Sequence, residues 1–228
     1  MEEIKMPLSK RIVRLMPLIT VVWAVGCLSG FEACAQIKKS AVSSTSENHQ
    51  LNGITSQGIK MLLESALDQT TVTKSYDPAY VRISYPMGDV PPEKGVCSDV
   101  VIRAFREAGV DLQKTVHEDM KRNFSVYPQK WSLKKPDANI DHRRVPNLQT
   151  FFKRQGKSLP ITNKAENYKP GDVVAWDLNG RGLTHIGLVS NLYNETTKQY
   201  SIIHNIGRGA QAEDVIFNWK IIGHYRYF

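Results

Sequence analysis

The sequence predicts an α+β fold with helices first and an antiparallel β-sheet after them. Three observations predict it: apolar residues keep helical spacing up to about residue 155, the chain breaks into short β-rich runs from Gly171 onward, and the links between those runs are of hairpin length. Helices followed by a strand meander exclude the alternating order of a doubly wound parallel sheet. A chain of 228 residues with 41% apolar content is enough for one ordinary globular core plus extensions.

The first extension is N-terminal. Lys5, Lys10, Arg11 and Arg14 form a positive run, residues 15–28 are almost unbroken apolar, and Ala33-Cys34-Ala35 is a small-residue cleavage site. Together they predict a signal peptide over residues 1–35 and an exported, periplasmic or envelope-associated protein. The apolar run is interrupted by Pro17 and falls short of the ~20 residues a spanning helix needs, so no transmembrane segment is expected in the mature protein. Ala24-Val25-Gly26-Cys27 is the alternative, a lipoprotein signal that would lipidate Cys27. Cleavage after Ala35 removes Cys27 and Cys34 and leaves Cys97 alone in an oxidising compartment, which flags it as a reactive group. The leader carries four basic and three acidic residues, so its loss takes the formal charge from +8 to +7. Such a basic protein is drawn to anionic envelope surfaces; its scattered lysines and arginines argue against nucleic acid as a partner.

Residues 36–50, with the serine-rich "SAVSSTSENHQ", are expected to be a flexible linker, and 51–228 a single domain. Apolar residues at Ile59, Leu62, Leu63, Ala66 and Leu67 predict a helix over 51–69. A proline-rich section follows, with a short edge strand expected over 80–85. Cys97, Val100, Val101, Ala104, Phe105 and Ala108 form one apolar helical face that ends at Gly109. Two further helices are expected over 112–121 and 146–155, the latter with proline in its first turn and Gly156 beyond its end. Between them "WSLKKPDANIDHRRVPNL" is a long polar loop. The strands are "DVVAWDL", "LTHIGLVSNL", "YSIIHNI", "EDVIF" and "IIGHYRYF".

One constellation carries chemistry. Free cysteines are usually buried small hydrophobes, and Cys97 lies on the apolar face of its helix. It also occupies the first turn, where unpaired amides favour a thiolate and lower the pKa; Asp99, two residues on, opposes that effect. His185 shares a strand face with Gly187 and Val189, and His204 shares one with Ile202 and Tyr200, so a hairpin can set the imidazoles side by side. A thiol attacking an amide needs a base, and the base needs an orienting group: Cys97, His185 and His204 supply those roles in that order. Asn205 competes with His204 as orienter but falls on the opposite strand face. A zinc site built from Cys97, His185 and His204 is the rival arrangement. Arg143 and Arg144 either belong to a solvated charge run or bind substrate carboxylates. His117-Glu118-Asp119 and His224 are expected to be structural.

The blocks "YPMGDVPPEKGVCSDVVIRAF", "PGDVVAWDLNGRGLTHIGLVS" and "SIIHNIG" resemble the cysteine-helix, base-strand and orienter-strand blocks of papain-like cell-wall amidopeptidases of the NlpC type. The run from Tyr80 to the C-terminus, with "VHEDM", "IDHRRVPNL" and "IGHYRY", resembles the uncharacterised family domain of unknown function 1287. The resemblance implies a papain-like fold with Cys97 as nucleophile, His185 as base, His204 as third polar residue, and Tyr85, twelve residues before Cys97, lining the site near the oxyanion. Departures are Val96 where that pattern has aspartate, Asp99 where it has a small glycine, and a hairpin that sets the histidines nineteen residues apart. The resulting expectation is a cysteine hydrolase, a monomer without cofactor, acting on an amide in cell-wall peptide, with Asp99, Arg143 and Arg144 on the substrate side. A non-catalytic peptide- or glycan-binding module and an acyltransferase are the other readings.

Overall fold

The computed structural model describes residues 57–228. The leader, the linker, the lipidation motif at Cys27 and the domain start near Leu51 lie outside the described residues. Helix α1 (Gln57–Val72) buries Leu62, Leu63, Ala66 and Gln69, a single stripe, as the spacing requires. Next, β1 (Ser75–Tyr76) pairs in parallel with β2 (Lys94–Gly95). The edge strand expected over 80–85 does not form. That segment satisfies its backbone through side chains instead: Asn139 Oδ1 accepts from the Ile83 N–H at 3.0 Å, and Gln113 Nε2 donates to the Ser84 carbonyl at 2.8 Å.

Helix α2 (Cys97–Glu107) is the centre of the molecule, with every residue from Cys97 to Phe105 buried. Around it stand α1, α3 (Leu112–Asn123) and α4 (Val145–Arg154). Asp111 caps α3 by accepting from the Gln113 and Lys114 amides. Beyond α2 and α4, Gly109 and Gly156 take positive φ, which is what the sequence requires of a residue past a helix end.

The five strands β3 (Val173–Asp177), β4 (Thr184–Asn194), β5 (Gln199–Asn205), β6 (Ala210–Glu213) and β7 (Lys220–Tyr225) form an antiparallel sheet in the order β6-β5-β4-β3-β7. The α+β expectation therefore holds. The "EDVIF" strand is displaced: pairing ends at Glu213, and the apolar residues beyond it turn beneath the sheet, where the Ile216 carbonyl accepts from Trp176 Nε1 at 2.8 Å. Val173, Ala175, Ile186, Leu188 and Ile203 pack on the helix side with Val101, Phe105 and Phe152. Val174, Trp176, Val189 and Ile202 line the other face, against Tyr168 and Ile216. No helix among the described residues is long and apolar enough to cross a membrane.

Candidate active site

Cys97 is the first residue of α2, and its helix start is clamped by Asp99 and by Asn205. Val96 has no side-chain acceptor, so half a capping box does the work: its N–H donates to Asp99 Oδ2 at 2.6 Å. A Cβ on Gly95 would come within 2.9 Å of that oxygen, so only glycine leaves room for it. Asn205 Nδ2 donates to the Gly95 carbonyl at 3.0 Å and to the Ser75 carbonyl at 3.2 Å. Asn205 thus faces the helices and fastens the approach to the cysteine; among the described residues its side chain makes no hydrogen bond to either histidine.

The thiol is 5% exposed, and the N–H groups of Ile186, Ser98 and Cys97 itself are directed at it. The β4–β5 ladder stops at Leu188–Ile203, which leaves the Ile186 amide to the sulfur. Burial nevertheless pushes the thiol up to about 12, with the Asp99 charge adding to the shift. The helix-start lowering expected from the sequence is present as donors, but desolvation outweighs it.

His185 and His204 meet on the other face of the sheet. His185 Nε2 lies 2.8 Å from His204 Nδ1 with the rings edge to face, and His204 Nε2 lies 2.9 Å from Glu213 Oε2. The close approach depends on Gly187: a Cβ there would meet Ile202 Cγ2 at 2.8 Å, the Ile203 carbonyl at 3.0 Å and His204 Cβ at 3.1 Å. Trp176 and Trp219 flank the pair, their ring centroids 5.9 and 6.1 Å from that of His185. Burial, reinforced by His204, pulls His185 down to about 3; burial also lowers His204, opposed by Glu213. Both imidazoles rest neutral at pH 7. Among the described residues no hydrogen bond joins the Cys97 thiol to either ring; the sulfur meets β4 through the amide of Ile186, the residue after His185. No group of three or more His, Cys, Asp or Glu among the described residues has the geometry to hold a metal, so the zinc arrangement lacks its cluster.

The expected substrate-side residues have other partners. The Arg143 side chain is 2% exposed and four of its N–H donors are engaged: Nε and Nη2 donate to Asp99 at 2.9 Å each, Nη1 to the Ala79 carbonyl and Nη2 to the Asp77 carbonyl. Asp99 and Arg143 therefore form a buried pair, with the Arg143 fork turned onto Asp99 and the backbone. Arg144 pairs with Asp141 at 3.3 Å and stacks 4.1 Å over Trp131. Tyr85 packs edge-on against His117 at 5.1 Å, with Glu118 and Asp111 as its charged neighbours. A different phenol senses the cysteine: Tyr76, opposite Gly95 in β1, is pushed up to about 12 by burial and then by the Cys97 and Asp99 charges. His224 is structural, bonded to Asp172 at 2.8 Å, and Asp119 is held by Arg154 and Tyr127.

Sequence reasoning missed Tyr76, Glu213 and Trp219. Only Glu213 left a trace, as an acidic residue beginning a predicted strand. Trp219 also walls a cleft of about 470 Å³ shared with Ile161, Asn163, Phe217, Lys220 and Ile221, beside the histidine pair. A cleft of similar size between α1 and α2, lined by Asp68, Gln69, Arg103 and Arg106, contains none of these groups.

A model of the family described as Domain of unknown function (DUF1287) matches residues 63–227. The chain is 58% identical over 167 residues to the uncharacterized protein YijF of Escherichia coli (strain K12), covering 73% of this chain and 80% of that protein. A solved structure of NlpC1 from Trichomonas vaginalis aligns over 76% of this chain at 12% identity with a TM-score of 0.42. This chain spans 45% of the length of that protein.

Proposed function

The chain belongs to the family Domain of unknown function (DUF1287), and from that premise we propose that it is an exported, papain-like cysteine hydrolase that cleaves an amide bond in cell-wall peptide. The observation that carries this reading is local. The Cys97 sulfur is held against β4 by the amide of Ile186, next in chain to a histidine that a second histidine orients at 2.8 Å.

Because thiol and imidazole both rest neutral, no standing ion pair is stored. In this reading His185 takes the thiol proton as the sulfur attacks the carbonyl carbon, a transfer for which the resting structure has no direct hydrogen bond between thiol and ring among the described residues. The carbonyl oxygen gathers charge, which the Cys97 N–H stabilises. His185 returns the proton to the departing amine, and water then cleaves the thioester to free the acid and the thiol. The leader pattern and basic charge support a cell-envelope setting for this chemistry.

The test uses peptidoglycan fragments with the wild-type protein, Cys97→Ser and His185→Ala. Turnover by the wild type and its loss in both variants is expected. Undiminished turnover by Cys97→Ser refutes the thiol mechanism, and fragment binding without hydrolysis by the wild type assigns the protein to the binding modules instead.

A further inference from the structure

We propose that Glu213 is a positioning residue that fixes the proton pattern of the histidine pair, so that Nδ1 of His185 is the bare nitrogen available as base. This deepens the hydrolase reading and rests on it for its catalytic meaning.

A carboxylate accepts hydrogen bonds and donates none. Glu213 Oε2 lies 2.9 Å from His204 Nε2, so that nitrogen carries the proton. The neutral imidazole of His204 then has its lone pair on Nδ1. That lone pair lies 2.8 Å from His185 Nε2, which must therefore be the N–H donor. With its one proton on Nε2, neutral His185 has its lone pair on Nδ1. Burial of both rings favours the neutral forms that this pattern requires.

Arg208 completes the chain from outside, its Nη2 2.6 Å from Glu213 Oε1. The side chain of Glu213 is 26% exposed and that of Arg208 69%, so the relay runs from a fully buried imidazole to the protein surface. The charged groups around the pair are Glu213 and Arg208; the other walls, Trp176 and Trp219, carry no charge. When Nδ1 of His185 takes a proton, the new charge is drawn toward the carboxylate through His204. Glu213 thus acts through another residue and touches no substrate.

Nitrogen-15 NMR of the imidazoles in the intact protein tests this. In the wild type, both Nδ1 atoms are expected to give pyridine-type shifts and both Nε2 atoms pyrrole-type shifts. In Glu213→Ala the pair loses its anchor, and His185 is expected to show a mixture of tautomers. Arg208→Ala leaves the carboxylate in place and should keep the wild-type pattern. With a turnover assay, Glu213→Ala should lower kcat by about tenfold to a hundredfold with KM unchanged, the scale of losing an orienting partner behind a functional histidine. A pyrrole-type His185 Nδ1 in the wild type, or wild-type tautomers in Glu213→Ala, overturns the proposal. If Glu213→Ala does not fold, the wild-type spectrum alone decides. The spectra need no substrate, so their outcome is separate from that of the hydrolase reading.

Discussion

Arg143→Ala separates a structural arginine from a substrate-binding one. The side chains of Arg143 and Asp99 are 2% and 4% exposed, and two 2.9 Å bonds join them. Removing the guanidinium leaves the carboxylate buried with only the Val96 amide as a polar partner, and frees the carbonyls of Asp77 and Ala79. Breaking one side of a buried pair costs about 3–5 kcal/mol. In a domain of this size, each kcal/mol moves Tm by about 2–4 °C, so a fall of about 6–20 °C is expected. Asp99 also holds the amide before Cys97, so the loss should loosen the helix start. The assay is urea and thermal unfolding of the variant beside the wild type, with Arg143→Lys to show that a point charge does not replace the fork. A loss below about 1 kcal/mol, the range of an exposed pair, accompanied by a raised KM for carboxylate-bearing fragments, would refute the structural reading.

Three further outcomes follow from the same geometry. Gly187→Ala drives a methyl into Ile202, the Ile203 carbonyl and His204, and should cost about 1–3 kcal/mol while separating the histidines; an unchanged unfolding midpoint would contradict this. Folded-state pKa values near 3 for His142 and His185, against an ordinary 6.5, mean that their contribution is complete above about pH 6.5 and is lost as pH falls toward 3. Asp141, raised from 3.8 to about 6, works in the opposite sense, its contribution complete below pH 3.8 and lost toward pH 6. Two histidines against one carboxyl leave a net loss of about 1.4 kcal/mol per pH unit on acidification from 6 to 4, deepened by His204; a flat unfolding profile would sink it. Iodoacetamide should modify Cys97 slowly at neutral pH, with a midpoint far above the ~8.5 of an ordinary thiol, and a midpoint below that value would show the buried neutral thiol to be wrong.

The helices were legible because the apolar residues keep helical spacing, as in Leu62, Leu63 and Ala66 or in Val100, Val101 and Ala104, although α2 is buried all round. The face on which Asn205 sits followed from strand alternation alone. What the sequence did not disclose depends on partners far away in order. Nothing near Arg143 announces that its fork closes on Asp99, 44 residues earlier, or that the phenol whose ionisation is opposed by Cys97 belongs to a tyrosine in a two-residue strand rather than to the one twelve residues before the cysteine. The "EDVIF" strand was misplaced because Ile216 is buried beneath the sheet rather than paired within it, and apolar content alone does not distinguish the two. The thiol's pKa was misjudged because a helix start is visible in sequence, whereas the depth of its burial is not.

The most direct measurement is the intact mass of the protein, quenched during turnover of an amide-containing cell-wall peptide fragment. A transient mass increase equal to the acyl portion, mapping to Cys97 and absent from Cys97→Ala, is the predicted result. Amine release at the wild-type rate by Cys97→Ala, with no adduct on the wild-type thiol, would contradict the account.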